Sequence, residues 1–241
     1  MNRHLIVNAD DFGLCPGVNR GIIECAERGI VTSASLMVRQ PAAAEAAAYA
    51  KRSRGISLGL HIDLGEWIYQ RGDWVRLYEV VATDDADAVH KEVNRQLAAF
   101  RELMDREPSH LDSHQHAHRK EPVRSLLVDL ARKLSVPLRE CDPVIRYCGD
   151  FYGQTGEGEP LPDNISAAGL RAVLHALPDG VTELGCHPGY GEGLSSVYRL
   201  EREQEIRTLC NPTIRASLLE ANIGLCRFDD LPGFARIRRA G

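Results

Sequence analysis

The chain has 241 residues, of which 44% are hydrophobic and 26% charged, and this composition is typical of a globular protein with a substantial core. Its formal net charge of -5 provides no basic surface for nucleic acid, so a nucleic-acid partner is not expected. The N-terminus has no apolar segment of the signal-peptide type, and no apolar run approaches the roughly 20 residues that span a bilayer. We therefore expect no membrane span and a cytoplasmic location.

The seven cysteines are scattered along the chain, odd in number and never spaced as a C-x-x-C pair. This distribution argues against a disulfide framework and against a structural zinc site. We expect buried, reduced thiols. Only Cys186 is of further interest, because it precedes His187 in a motif described below.

Short strand-like runs alternate with helical patterns along the chain. The first is the apolar run 5–9, and the helical pattern after it begins at Pro16 and ends near Gly29. Further strands are predicted at about 32–38, 56–60, 109–112, 136–139, 181–186 and 223–227. Helices are predicted over 42–53, 86–105, 122–134 and 167–176, with two more over 198–221 that are separated near Asn211-Pro212.

This alternation is typical of an α/β protein with a parallel sheet wrapped by helices. Seven strand candidates leave an open doubly wound sheet and an irregular barrel as alternatives. No linker, low-complexity segment or internal repeat divides the chain, so we expect a single domain over residues 1–241. The least regular stretch is 141–165, and a loop this long is often part of a binding site.

Polar side chains follow four of the predicted strands. Asp10 and Asp11 end the first strand, and His61 follows the third. The fourth strand runs into the histidine-rich segment 110–118, and the sixth ends at His187. Because the C-terminal ends of parallel strands meet at one face, where ligands bind, we expect these side chains to form one composite site.

The residue types at these strand ends indicate a catalytic metal site. A buried carboxylate would neutralise unless a cation or several donors met it. Imidazoles and a carboxylate form a ligand set suited to a divalent ion with positions left open for water and substrate. Adjacent acids point in different directions, so one of Asp10 and Asp11 can bind the ion while the other acts as a base on its water.

The segment 110–118 has His or Asp at every second position. In an extended segment residues two apart share a face, so Asp112, His114 and His116 would line one wall. Three ligands from so short a run would strain a tetrahedral site. We expect one or two of them on the ion, and the others holding a ligand's second nitrogen or the substrate. His114 is the favoured ligand, His116 is favoured as a hydrogen-bonded wall residue, and His118 is expected to be peripheral.

His187 is followed by Pro188 and Gly189, which predict a tight turn that presents the imidazole. A histidine changes charge near neutral pH, which suits protonation of a leaving group opposite the base. The alternative is a strand-end histidine that only caps the turn.

Four motifs occur in order across most of the chain: Asn8-Ala9-Asp10-Asp11-Phe12-Gly13, Gly59-Leu60-His61, His110-Leu111-Asp112-Ser113-His114 and Cys186-His187-Pro188-Gly189-Tyr190. Together they resemble the motifs of the YdjC/ChbG family of carbohydrate deacetylases. The resemblance implies a distorted TIM-like (β/α) barrel of the glycoside hydrolase/deacetylase type, with about seven parallel strands. It also implies a divalent-metal-dependent hydrolase that removes acetyl groups from N-acetylated sugars such as chitooligosaccharides.

Residue by residue, the resemblance implies Asp11, His61 and His114 as metal ligands, Asp10 as the base and His187 as the acid. The implied cofactor is one divalent ion, magnesium or zinc in the first place. Manganese and cobalt stay open, because one carboxylate with two imidazoles is a borderline ligand set. The implied partner is an N-acetylated sugar, and a homo-oligomer is compatible with the sequence.

Two departures from the family pattern affect the substrate rather than the metal. Chitooligosaccharide enzymes carry a run of three histidines where this chain has His114-Gln115-His116, and the connection between His61 and His110 is compact for the family. The sugar, whether an oligomer or a lipid- or nucleotide-linked unit, therefore stays open. Candidate rings for stacking on it, each equally compatible with ordinary packing, are Phe12, Trp67, Tyr69, Trp74 and Tyr190.

Two other functions fit the same residues. A metal-dependent phosphoesterase would also activate water at an Asp/His site, but it needs cationic groups, and only Arg119 and Lys120 are close to the motifs in sequence. A sugar-binding or regulatory protein that retains the metal without turnover is the other alternative. It would need neither Asp10 as a base nor His187 as an acid.

Overall fold

The computed structural model describes residues 3–192, 194 and 198–231. Its strands are β1 (Arg3–Phe12), β2 (Ser33–Leu36), β3 (Ser57–Ile62), β4 (Gly65–Gln70), β5 (Asp73–Glu79), β6 (Leu111–Ser113), β7 (Ile145–Cys148), β8 (Gly180–Cys186) and β9 (Ile223–Leu225). Its helices are α1 (Pro16–Glu27), α2 (Ala43–Arg52), α3 (Ala86–Met104), α4 (Val123–Leu134), α5 (Ala167–Ala176), α6 (Leu200–Leu209) and α7 (Pro212–Glu220). Within these residues none of the helices combines the length and apolar character that a bilayer crossing requires.

Seven strands form one parallel sheet in the order β6-β3-β2-β1-β8-β7, with β9 beside the first residues of β1. Leu138 adds a single parallel bridge to Leu111 at the β6 edge. The next residue, Arg139, contacts Glu183 on β8, near the opposite edge, so the sheet curls upon itself. The predicted barrel-like α/β fold with about seven parallel strands is confirmed. The prediction of one domain extends beyond the described residues and stays a prediction.

Most predicted elements occur within a few residues of their expected ends. The connection after β8 contains α6 and α7, separated at Asn211 as predicted: its side chain accepts a hydrogen bond from the Thr213 backbone N–H and Pro212 opens α7. The strand predicted at 136–139 is wrong, because only Leu138 pairs there. The strand at this point of the chain is β7, inside the stretch 141–165 that was predicted to be least regular.

A second, two-stranded sheet was not predicted. β4 and β5 pair antiparallel, joined by Arg71 (φ 55°) and Gly72 (φ 87°), a left-handed pair of the kind that two-residue hairpin turns require. The hairpin follows β3 directly, at the end of the sheet where the polar motifs lie. It occupies much of the connection between His61 and His110 that was expected to be compact.

The two faces of β1 have different surroundings. Leu5 and Val7 are buried in the main apolar core, whereas Ile6 belongs to a smaller apolar cluster with Phe228. Residues two apart share a face of a strand, so Asp10 continues the face of Ile6. This face therefore changes from apolar to charged along β1, and the charged end lies among the polar motifs.

Gly59 on β3 leaves room for the imidazole of His110. A β-carbon at this position would lie 2.4 Å from His110 ring atoms, and that side chain is only 1% exposed, so it has no space to move aside. Gly59→Ala should therefore lower the free energy of unfolding by about 1–3 kcal/mol, the usual cost of overpacking, as measured by urea denaturation.

The matched control is Gly156→Ala, because nothing lies within 4 Å of the position that its β-carbon would take. This variant should change the free energy of unfolding by less than about 0.5 kcal/mol. Equal stability losses in the two variants would contradict the role of close packing against His110.

Candidate active site

The four motifs meet at the C-terminal ends of β1, β3, β6 and β8, as predicted. Asp10 and Asp11 lie near the end of β1 and His61 near the end of β3, while His114 and His187 directly follow β6 and β8. All five side chains line one cavity of about 840 Å³. This volume is within the range of about 300–1,000 Å³ that small-molecule sites occupy.

Asp11, His61 and His114 bring one potential ligand atom each to within 4.8 Å of one another. The Asp11 Oδ1 atom lies 3.4 Å from His61 Nε2 and 3.1 Å from His114 Nδ1. Two atoms that each coordinate a small divalent ion at about 2.1 Å are separated by about 3.0–3.4 Å. The three side chains therefore fit a divalent ion as a candidate metal centre.

The electrostatics of this cluster favour positive charge between the three side chains. Burial alone would lower the pKa of His61, but Asp112 and Asp10 raise it well above its usual value. The same competition raises the pKa of His114 to about 9, because Asp11 outweighs burial. A divalent cation supplies positive charge at the same place and would displace these protons.

Asp11 adopts a backbone conformation that separates it from its neighbour. Its φ of 66° is in the left-handed region, which Asp tolerates better than most residues. The β1–β2 pairing is interrupted between Ala9 and Phe12, where this irregularity falls. The adjacent acids consequently reach different partners, as expected: Asp10 contacts Arg139 and Asp11 contacts the two histidines.

Asp112 lies behind His61 and fixes its orientation. The Nδ1 atom of His61 is 2.8 Å from Asp112 Oδ1, which leaves Nε2 facing Asp11. The other oxygen of Asp112 accepts a hydrogen bond from the Ser35 hydroxyl (2.6 Å) and forms an ion pair with Arg139 Nη2 (2.8 Å). Burial would raise the pKa of Asp112, but Arg139 and His61 hold it well below its usual range. A carboxylate on the second nitrogen sets the tautomer of a metal-binding histidine and increases its basicity.

Arg139 is the cation in the interior of the barrel, and its side chain is 1% exposed. It donates to both oxygens of Asp10 at 2.7 Å, and it also pairs with Asp112 and with Glu183, the latter at 2.7 Å. Burial raises the pKa of Glu183 to about 7. Arg139 acts in the opposite direction, but Glu183 shares this arginine with two other acids. Neither Arg139 nor Glu183 was predicted as a site residue. The sequence did contain one signal, because Glu183 is an acid inside a predicted buried strand.

A second buried arginine, Arg202 of α6, binds the candidate metal ligand Asp11. Its Nη2 atom lies 2.6 Å from Asp11 Oδ2, opposite the oxygen that faces the histidines. The guanidinium also donates to the backbone carbonyls of Tyr198 and His187. Burial would raise the pKa of Asp11, but Arg202 and His114 keep it well below its usual range. Arg202 was not predicted, because nothing in α6 distinguishes it from a surface arginine.

His187 lies between Asp10 and two stacked tyrosine rings. Its Nε2 atom is 3.7 Å from Asp10 Oδ2. Tyr152 and Tyr198 stack at 4.6 Å, and each meets the His187 ring edge-on. The ring faces the cavity, as expected, but the tight turn predicted after it is wrong, because residues 187–190 form no turn. The backbone N–H of His187 donates to Glu205. Burial lowers the pKa of His187 to about 4, so the imidazole is neutral at pH 7.

The extended arrangement predicted for the histidine-rich segment is wrong beyond β6. The chain turns into a 3₁₀ helix at His114–Arg119, with Gln115 (φ 49°) and His116 (φ 52°) in the left-handed region. The turn directs His114 toward Asp11, whereas the ring of His116 meets that of Tyr147 edge-on at 5.4 Å. Side chains two residues apart in this segment therefore do not share a face, as they would in an extended strand.

His118 was expected to be peripheral, but its side chain is buried. Its Nδ1 atom lies 2.6 Å from the Ser113 hydroxyl, which also accepts the backbone N–H of His118. These bonds close the turn after β6. His118 consequently supports the segment that carries His114 and does not line the cavity around the candidate metal centre.

Two of the five rings proposed for sugar stacking, Trp67 and Trp74, line the cavity. Phe12 is fully buried in the apolar core, Tyr69 meets the Trp74 ring edge-on, and the hydroxyl of Tyr190 donates to Glu24 at 2.6 Å. The irregular stretch after β7 also lines the cavity, as its length suggested. The further aromatic residues of the wall are Tyr147, Phe151, Tyr152 and Tyr198.

Cationic side chains line the cavity, including the two that are close to the motifs in sequence. Arg119 and Arg202 both line it, as does Lys120. The two arginines are paired with carboxylates, Arg119 with Glu140 and Arg202 with Asp11. Their charge is therefore already balanced by acids within the protein.

The fold and the site together define a parallel α/β barrel with a candidate Asp/His/His metal centre at the C-terminal ends of its strands. The profile of the family described as YdjC-like protein matches residues 4–220. The chain belongs to this YdjC-like family.

Known proteins similar to this chain cover nearly its whole length. A chitooligosaccharide deacetylase of Serratia marcescens is 31% identical to this chain over an alignment 263 residues long. The alignment covers 96% of this chain and 100% of that protein. A carbohydrate deacetylase of Geobacillus stearothermophilus is 30% identical over 249 residues, covering 95% and 98%. A solved structure from Enterococcus faecalis V583, named for cellobiose-phosphate cleavage, is 24% identical with a TM-score of 0.74, covering 95% and 98%. The last comparison shows a shared fold.

Replacement of Arg139 tests whether one cation supports the buried acids. Arg139→Met would leave Asp10, Asp112 and Glu183 buried without it. Because removing one partner of a buried ion pair costs about 3–5 kcal/mol, the free energy of unfolding should fall by at least about 3 kcal/mol in urea denaturation. Arg146→Met, at an exposed arginine of β7, is the control and should cost less than about 0.5 kcal/mol. An Arg139→Met protein as stable as the control would refute this account.

Proposed function

We propose that the protein is a metal-dependent carbohydrate deacetylase, which hydrolyses the N-acetyl amide of a sugar or oligosaccharide to acetate and a free amine. The observation that carries this proposal is the convergence of Asp11, His61 and His114 beside Asp10 and His187 in one cavity. Two relatives named as deacetylases, 31% and 30% identical over almost the whole chain, support the reaction class.

In this proposal Asp11, His61 and His114 hold one divalent ion, for which magnesium and zinc are the first choices. When bound, the ion polarises the acetamide carbonyl and makes its water more acidic. Asp112 and Arg202 act from behind the ligands: the first orients the His61 ring, and the second engages the outer oxygen of Asp11. The ligand atoms are thereby held in position before substrate binds.

Asp10 is the proposed base. Arg139 engages both of its oxygens at 2.7 Å, and Asn8 donates to Oδ1 at 2.9 Å, so the carboxylate is held in one orientation. Although burial opposes ionisation, Arg139 lowers the pKa of Asp10 and keeps it ionised at neutral pH. It can therefore accept the proton that the water loses as its oxygen bonds to the acetyl carbon.

His187 is the proposed acid, which protonates the amine nitrogen as the carbon–nitrogen bond breaks. Because its pKa in the free protein is about 4, it has to gain this proton during the reaction. Its Nε2 atom is 3.7 Å from Asp10 Oδ2, so the proton taken by Asp10 has a short path to His187. The two residues would then act in sequence on one proton, and no proton is gained or lost overall.

We also propose that residues 1–241 form one deacetylase domain, since the matched relatives align with nearly the whole chain. The cytoplasmic location and any self-association stay predictions from the sequence. A phosphoesterase is less well supported, because the arginines that line the cavity are already paired with acids. A non-catalytic sugar-binding protein would leave the arrangement of Asp10 and His187 without a use.

Asparagine substitutions separate the roles of the adjacent acids. Asp10→Asn should retain metal and lose turnover by about 10²-fold or more, the usual contribution of a general base. Asp11→Asn should lose metal, because it removes a charged ligand. Metal content after dialysis and the rate of acetate release measure the two effects. Asp129→Asn, at a side chain 79% exposed on α4, should keep both metal and activity. Equal loss of metal from both site variants would refute the separate roles even if deacetylation were observed.

The reaction class is tested by incubating the metal-loaded protein with a panel of N-acetylated sugars and a panel of sugar phosphates. We expect release of acetate with a matching amount of free amine, and no release of inorganic phosphate. Phosphate release alone would favour the phosphoesterase. Sugar binding without either product would favour the non-catalytic protein.

A further inference from the structure

The β4–β5 hairpin extends the cavity wall outward from the candidate metal centre. At its start, Glu66 Oε2 lies 3.7 Å from His114 Nε2, and the next residue, Trp67, lines the cavity. Trp74 on β5 lines the same cavity. In the strand pairing Trp67 is opposite Arg76 and Tyr69 is opposite Trp74, so both indoles belong to one face of the hairpin.

Trp74 is unusually accessible for its size, with 55% of its surface exposed. The ring of Tyr69 meets it edge-on at a centroid distance of 5.6 Å, which supports the indole from one side. Much of the indole therefore faces the cavity and solvent. An indole that is exposed beside a cavity is available to contact a ligand bound there.

The base of the hairpin is attached to the barrel through Asp63. Its carboxylate accepts hydrogen bonds from the Tyr78 hydroxyl and from the Gln40 amide, each at 3.0 Å. The indole of Trp67 packs over Gly65, where a β-carbon would lie 3.0 Å from the ring. The orientation of the Trp67 side chain thus depends on close contact with the hairpin backbone.

Gln115 makes a second attachment, in the turn that carries His114. Its side-chain amide accepts the Trp67 backbone N–H at 2.9 Å and donates to the Trp67 carbonyl at 2.7 Å. The N–H and C=O of one strand residue point to the same side, so this pair occupies the edge of β4 that faces away from β5. Gln115 stands where this chain departs from a run of three histidines.

We propose that Gln115 positions the hairpin so that Trp67 and Trp74 bind the sugar unit next to the one that is deacetylated. The proposal rests on the proposed function and adds to it the side chains that would hold the neighbouring unit when the substrate is an oligosaccharide. Indoles suit this role because a pyranose ring presents an apolar C–H face, while its hydroxyls can stay hydrated at the open side of the cavity. Gln115 is a positioning residue, since its contacts are with the Trp67 backbone.

Tryptophan fluorescence tests the binding step without turnover. Trp67 and Trp74 are the only two tryptophans of the chain, so the intrinsic tryptophan signal reports on the hairpin alone. Metal-loaded Asp10→Asn protein would be titrated with N-acetylglucosamine and with its β-1,4-linked trimer. We expect a saturable change with the trimer at concentrations where the monosaccharide has little effect. The single-tryptophan variants Trp67→Phe and Trp74→Phe should each keep part of the change.

Absence of any fluorescence change with the trimer would overturn this inference even if acetate release had established the deacetylase. Conversely, failure of the wild-type protein to release acetate from any N-acetylated sugar would overturn the proposed function. The fluorescence titration would still show whether the hairpin binds an oligosaccharide. The two failures are therefore distinguishable.

Steady-state kinetics test the specificity that the hairpin should confer. In Trp74→Ala the ratio of kcat/KM for the trimer to kcat/KM for the monosaccharide should fall about fivefold to tenfold, as expected for loss of one aromatic contact. Leu77→Ala is the matched control: Leu77 is on the same hairpin and 43% exposed, but it does not line the cavity. Its ratio should equal that of the wild type.

The role of Gln115 is tested by Gln115→Asn. Asparagine tolerates the left-handed backbone at this position, but its side chain is one methylene too short for both Trp67 bonds. We expect a higher KM for the trimer with kcat changed by less than about twofold. Gln115→Glu keeps the acceptor for the Trp67 N–H and should recover part of the loss. A fall in kcat alone, or a KM equal to that of the wild type, would contradict a positioning role.

Discussion

The pairing of Arg139 with three buried carboxylates is the interaction on which the candidate site depends. Asp10, Asp112 and Glu183 come from three different strands, and the guanidinium in the barrel interior reaches all of them. Burying a carboxylate alone is too costly, so without this cation the acids would have to take up protons or turn toward water. Arg139 therefore connects three strands and keeps Asp10 and Asp112 ionised, which is the state that both proposed roles require.

From Arg139 the contacts continue in one direction to the candidate metal centre. Asp112 holds the outer nitrogen of His61, His61 faces Asp11, and Arg202 holds the far oxygen of Asp11. Each side chain is buried and contacts the next, so the orientation of each depends on its neighbour. The proposed base Asp10 shares Arg139 with this series. Placement of the metal ligands and orientation of the base consequently have a common physical origin.

The outline of this site could be predicted because the chemistry recurs at the same place on successive strands. Polar residues that end buried strands have to meet partners, and parallel strands bring those ends together, so the strand-end pattern suffices to group Asp10 and Asp11 with His61 and His114. The choice of Asp11 as the ligand rested on the family resemblance. The same reasoning failed after β6. Gln115 and His116 adopt left-handed conformations that a strand-based periodicity does not anticipate, and this turn separates His116 from His114.

The sequence by itself determined the alternation of strands and helices, the polar strand ends and the grouping of five site residues, since these follow from local hydrophobic patterns and the parallel order of the strands. Only the tertiary structure decided which cations meet the acids. Arg139 and Asp10 are 129 residues apart, and Arg202 and Asp11 are 191 apart. The hydrogen bonds from Gln115 to Trp67 likewise join a turn to a hairpin 48 residues earlier. Such pairs carry no local pattern, because they form only when the sheet curls and its loops close over one end.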